Sequence, residues 1–209
     1  IYGYIIVWET VHALDTFDYV VLEHVAVSIA AERIRVRERE EAKARIKQDF
    51  FDDLLSGNIE SLSAIRSLSA MNGLCTTSSY RCILIRFIGD EQGTRRRPQG
   101  DMLYRCALLC DQLARERGLS IVTIPRGTQL ILLIDSSRKE AAPESLRRYA
   151  EALCAAMAEQ LSFLPLTVVS EEAENIICIA EVYENVQRAA EVFAAPPCQP
   201  SVIFVEDYT

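Results

Sequence analysis

Glycine and proline are missing from residues 11–56, and histidine occurs only at His12 and His24. Without either breaker, nothing in that stretch stops a helix once it has begun. So little imidazole, together with seven cysteines that never form a CxxC pair, leaves a zinc site without its usual ligand spacing. No apolar run approaches the ~18 residues of a membrane helix, so no transmembrane span is expected. Cations are outnumbered, 22 against 30 acids for a net charge of −8, and the chain alone is a poor binder of DNA or anionic lipid. The single tryptophan and the scattered tyrosines make no base-stacking platform. No basic region precedes a short apolar core at the start, which excludes a signal peptide there. The first residue is Ile1 and not Met, so a piece of a longer protein is expected.

Half of the residues are hydrophobic, a globular composition for one or two domains. The cysteines (75, 82, 106, 110, 154, 178 and 198) are odd in number and scattered through apolar stretches. They read as small buried hydrophobes in a reducing, cytoplasmic compartment. Cys106 and Cys110 share the apolar stripe of one helix.

Residues 2–8 read as a strand. A helix then follows from an N-cap at Asp15 or Thr16, with Asp18 favouring its positive end, to the stop at Ser56-Gly57. Some 40 residues of helix would be ~60 Å long, more than a small domain spans, so it is expected to project or to join two bodies. Residues 19–31 are largely apolar, as in a helix docked on a domain, whereas residues 32–47 are highly charged. Seven-residue spacing links Leu22, Ile29, Val36, Lys43 and Phe50, with Val25 and Ile46 at the companion positions. Glu32, Arg39 and Asp53 interrupt that set. Two readings stand: a solvated connecting helix, or a two-stranded parallel seam between subunits made by Leu22, Val25, Ile29, Val36, Ile46 and Phe50. Arg33, Arg35, Arg37 and Arg39 spread around the helix and have acidic neighbours, so a salt-laced solvated surface is preferred to a nucleic-acid face.

Beyond a short helix over residues 61–71 the chain alternates. Strands are expected at 80–88, 119–124, 130–135, 166–169 and 201–206, and helices at 100–117, 143–163 and 173–193. The second and third strands form a hairpin turning at Pro125-Arg126-Gly127-Thr128. This β-α-β-β-α-β-α-β order contains a split βαβ unit, an α+β fold of ferredoxin-like type with helices on a mainly antiparallel sheet. Glu171, Glu172 and Glu174 fall at the expected start of the last helix, where they would favour its dipole. Arg86, in the middle of an apolar strand, either holds a phosphate or carboxylate or faces solvent, and the second reading is preferred. Arg95-Arg96-Arg97, in a polar loop, are read as solvated.

The segments IKQDFFDDLLSG (46–57), CILIRF (82–87), the hairpin and AEVYENVQRAAEVF (180–193) together resemble the central GGDEF-like domain of the PucR/CdaR family of bacterial transcription regulators. The likeness covers roughly residues 45–209. The segments YGYIIVWE and FDYVVLEHVAVSIAAER resemble the closing strand and helix of a GAF-type sensory domain. The resemblance implies three parts: residues 1–35 as the end of a GAF-like sensor, 36–57 as a linker helix, and 58–209 as a degenerate GGDEF-like domain. It also implies a small-molecule effector at the sensor and DNA contact only through a C-terminal helix-turn-helix outside these residues. A homodimer is expected from the heptad spacing and the two-fold symmetry usual among DNA regulators.

A diguanylate cyclase of this kind needs carboxylates at the hairpin and on the first strand to hold Mg²⁺ against nucleotide phosphates. Here the turn reads Arg126-Gly127-Thr128-Gln129, with a cation and no acid, and the nearest acid after the first strand is Asp90. The expectation is a regulatory segment with no enzymatic activity, cofactor or metal. The alternative is a degenerate domain that still binds a nucleotide.

Overall fold

The computed structural model describes residues 5–8, 13–58, 61–87, 101–161, 165–193 and 201–208. Its longest element, α1 (Thr16–Ser56), starts at a reciprocal cap. The Asp18 amide donates to Asp15 Oδ1 at 2.9 Å, and the Asp15 amide donates to Asp18 Oδ2 at 3.1 Å. Each carboxylate thereby satisfies an amide that the first turn leaves open. The helix stops where the sequence demands. Gly57 turns to φ +72°, and the Asn58 amide donates back to the Asp53 carbonyl at 3.1 Å, a Schellman closure that strains any residue with a Cβ. Residues 5–8 form no strand and are exposed, which corrects the reading of residues 2–8; residues 2–4 lie outside the described residues.

The chain divides into two compact units, residues 1–49 and 50–209. The first consists mainly of α1 up to Asp49. Apolar Phe17, Tyr19, Val20, Val21, Val25, Val27 and Ile29 are exposed on all sides of that stretch. Among the described residues no helix is long and apolar enough to cross a membrane.

The second unit begins with Phe50, Phe51, Leu54 and Leu55, the buried residues of the last turns of α1. After α2 (Leu62–Met71) come β1 (Tyr80–Phe87), α3 (Asp101–Glu116), β2 (Ile121–Arg126), β3 (Gln129–Asp135), α4 (Pro143–Leu161), β4 (Pro165–Ala173), α5 (Ile179–Val192) and β5 (Ser201–Phe204). The sheet order is β2-β3-β1-β4-β5. β3 is antiparallel to both β1 and β2, so the split βαβ unit is present, and β5 adds to β4 in parallel. The fold is the expected α+β arrangement with a long N-terminal helix. Period-two alternation sorts the side chains of β1. Cys82 and Leu84 join the core under α5, α2 and the end of α1, while Ile83, Ile85 and Phe87 join the core under α3 and α4.

Two strands differ from expectation. The hairpin loop is only Gly127 and Thr128, because β2 continues through Pro125 to Arg126, which pairs with Gln129. β2 is an edge strand, where the missing proline N–H removes no ladder bond. Gly127 at φ +61° supplies the left-handed residue of a two-residue hairpin. β4 runs to Ala173, so Glu171 and Glu172 lie in a strand, not at a helix start. The pairing of Arg81 with Glu172 and of Ile83 with Val169 leaves two β4 residues opposite Cys82, a bulge. The Cys82 amide there donates to Ser170 Oγ at 2.8 Å.

Candidate functional site

The hairpin turn meets two helices. Arg126 Nε lies 3.1 Å from Asp52 Oδ1 of α1, and Arg126 Nη1 donates to the Tyr183 hydroxyl oxygen of α5 at 3.4 Å. Gln187 Nε2, one turn further along α5, donates to the same oxygen at 2.9 Å. Burial raises the Tyr183 pKa, offset in part by the Arg126 hydrogen bond and charge. The acid at this turn thus comes from α1 and is matched to a guanidinium, an arrangement unsuited to a divalent cation, which needs several anionic oxygens. Among the described residues no cluster of histidine, cysteine, aspartate or glutamate suits a metal ion. Thr128 is exposed and Gln129 half-buried. Asp90 and Arg95-Arg96-Arg97 lie outside the described residues.

Arg86 does not point freely to solvent. It is half-buried, and its Nε is fully enclosed without a hydrogen-bond partner. Its register partners are Gln129 on β3 and Leu166 on β4.

A second charged group, at the opposite end of β1, was not singled out from the sequence. Arg81 is buried, with Nη1 2.8 Å from Glu206 Oε1 and donating to the Ser170 carbonyl at 3.1 Å; Nη2 is 3.9 Å from Glu172. Arg147 of α4 reaches Asp207 at 3.0 Å and covers the Phe204 ring at 4.1 Å. Two arginines therefore hold the segment after β5 against the sheet. The signal was present, since YRCILIRF carries an arginine near each end of an otherwise apolar strand. Glu171 accepts from Asn185 of α5, and Glu172 accepts from Ser136 at 2.9 Å. Hydrogen bonding from Ser79, then Ser136 and the charge of Arg81 outweigh partial burial and lower the Glu172 pKa.

Of the six proposed seam residues, Val25, Ile29, Val36 and Ile46 are exposed on α1, at 42, 48, 37 and 54%. Leu22 is half-buried. Phe50 is not available to a seam. It is only 6% exposed, packs edge-on against Phe51 and belongs to the second unit's own core. Heptad arithmetic runs past the residue where the helix enters that core.

Cys82, Cys106, Cys110 and Cys154 are buried and free, and burial raises their pKa values, that of Cys106 to about 11. Cys75 is the exception. It is exposed, and hydrogen bonding, led by the Thr77 side chain, lowers its pKa to about 7.

A split βαβ sheet closed by a tight hairpin, with helices on both faces, defines the class as α+β sandwiches of the GGDEF type. The chain belongs to the GGDEF-like domain family, whose model matches residues 56–192. No curated protein matches it. Among solved structures it is similar to a regulator of polyketide synthase expression from Bifidobacterium adolescentis, with 17% identity and a TM-score of 0.48. That likeness covers 75% of this chain but 57% of the other, so the chain spans little more than half of its length.

Proposed function

We propose that this chain is a non-catalytic regulatory and dimerisation segment of a PucR/CdaR-like transcription regulator. In this reading a sensor before the GGDEF-like unit receives a small-molecule effector, and a DNA-binding domain beyond these residues reads the operator. The observation that carries the proposal is the Arg126–Asp52 pair. The turn on which a cyclase would need acids holds a cation, and that cation is spent on the helix leading in from the sensor side. A change in the pose of α1 at Asp52 is thereby a change at the hairpin. The effector biases the relay only by binding two poses unequally.

Dimerisation in this reading uses the exposed apolar residues of α1, with Val25, Ile29, Val36 and Ile46 in the seam and Leu22 at its N-terminal end. Two-fold symmetry is the common state of soluble oligomers. Sedimentation equilibrium of the chain should give twice the monomer mass, and Ile29→Asp with Val36→Asp should return it to monomer. A wild-type monomer at high micromolar concentration, or an unchanged mass in the double variant, refutes the seam. Incubation with GTP and Mg²⁺ should leave the nucleotide intact; turnover abolished by replacing Arg126 would refute the non-catalytic reading.

A further inference from the structure

The end row of the α5-facing side of the sheet differs from the rows behind it. Directly opposed residues in successive strands share a face. Ile124, Ile131, Leu84 and Val168 form one such row, and all are in the apolar core. The next row is Arg126, Gln129, Arg86 and Leu166. Two arginines therefore stand on alternate strands, about 10 Å apart at the backbone from two strand spacings, with an amide side chain between them.

Hydrogen bonding there is unbalanced. Arg86 Nε is enclosed and has no acceptor. The Tyr183 hydroxyl oxygen already accepts from both Arg126 and Gln187. With two donors on that oxygen, the hydroxyl proton is left to bond elsewhere. Tyr183 as a residue is 4% exposed, but its hydroxyl sits beside Arg126, whose side chain is 43% exposed. Among the described residues, the carboxylate that meets these groups is Asp52, which is 42% exposed. An enclosed donor without an acceptor is costly, and Arg86 Nε in a folded protein calls for an explanation.

We infer that Arg86, Arg126 and Tyr183 form a binding site for a small oxyanion of the phosphate or carboxylate class, for which Asp52 is the resident competitor. An oxyanion over Gln129 places opposite charge beside Arg86, accepts from Tyr183 and shares Arg126 with Asp52. Guanidinium suits this ligand because its planar fork matches two oxygens at once. The site goes beyond the relay reading and does not depend on dimerisation.

Titration calorimetry of the chain with inorganic phosphate, pyrophosphate and succinate tests it. At least one should bind at one site per chain, and the tighter of phosphate and succinate gives the ligand class. Asp52→Asn should tighten binding a few-fold, the size expected for removing a competing exposed ion pair. Arg86→Gln and Arg126→Gln should each weaken it about tenfold or more, as loss of a charge-assisted bond does. Tyr183→Phe should weaken it several-fold while keeping the ring in the core. Should Arg86→Gln fail to fold, Arg126→Gln decides alone, since its side chain lies outside the core. No binding of any of the three up to about 10 mM, beyond the weak end of ordinary affinities, in both wild type and Asp52→Asn overturns the site. Binding undiminished in Arg126→Gln overturns it equally.

Discussion

Arg81 offers the sharpest test of how the second unit is held together. Its side chain is 7% exposed, whereas that of its partner Glu206 is 43% exposed. Breaking a fully buried ion pair costs about 3–5 kcal/mol, but Glu206 is screened by water, so the loss is smaller. Glu206→Gln keeps the shape and leaves the buried guanidinium with the Ser170 carbonyl and a distant Glu172. We expect a loss of about 1–2 kcal/mol, the range for a hydrogen bond to a charged group after screening. Arg81→Met keeps the apolar stem but strips the Ser170 carbonyl of its donor, and about 2 kcal/mol should be lost. If the pair is the source of both losses, the double variant is no worse than Arg81→Met alone, with a coupling of about 1–2 kcal/mol. Urea unfolding followed by circular dichroism reads these values. At this chain length the melting temperature should fall by about 2–4 °C per kcal/mol. Amide exchange at Phe204 should quicken in Glu206→Gln, because that carboxylate ties the segment after β5 to the sheet. Stability of Glu206→Gln within about 0.5 kcal/mol of wild type, the range of neutral surface changes, refutes the reasoning, as do additive single losses.

Gly127 sits at φ +61° with open space where a Cβ would be. Gly127→Ala should therefore cost about 1 kcal/mol through backbone conformation alone, and Gly127→Asn less, in the same unfolding assay. Cys75 should be alkylated by iodoacetamide with a rate that rises through a midpoint near pH 7, ahead of every buried cysteine. Thr77→Val should move that midpoint upward, and an unmoved midpoint would remove the hydroxyl as its cause. The Glu172 pKa is lowered in the folded state, first by the Ser79 hydrogen bond, from its ordinary value of 4.5. Its contribution to stability is therefore complete above pH 4.5 and lost as pH falls through the lower folded value. Glu172→Gln should flatten the stability profile in that acid window, and an identical profile would show the carboxylate idle.

Strand order was legible because each strand is an apolar run closed by a turn or a helix start. The helices expected at 143–163 and 173–193 were legible from apolar residues recurring at the helical period: Leu146, Tyr149, Ala150, Leu153 and Met157 are buried on α4, and Ile179, Val182, Tyr183, Val186 and Ala190 on α5. Glu171 and Glu172 misled because two acids before an amphipathic run resemble a helix start. In the structure they sit in β4, beside a bulge, with partners supplied by Asn185, Ser136 and Arg81. Pro125 misled likewise, since proline marks a turn unless its strand is an edge, and edge position is a property of the whole sheet.

Phe50 shows what a periodic pattern cannot carry. The pairs Phe50-Phe51 and Leu54-Leu55 recur at the helical period and mark a buried stripe as well as a heptad does. Choosing between the two requires knowing that a sheet face waits at that point of the helix. The same holds for Asp52, whose neighbours in sequence give no hint of Arg126. Yet these two facts belong together physically. Four buried apolar residues lock the last turns of α1 to the sheet, so the helix cannot turn about its axis there without moving Asp52. The hairpin is tied to that residue by Arg126. In the proposed relay the four buried residues would make the end of α1 move with the sheet as one piece, and the half-exposed Arg126–Asp52 pair, worth little in water, would be the contact that exchanges.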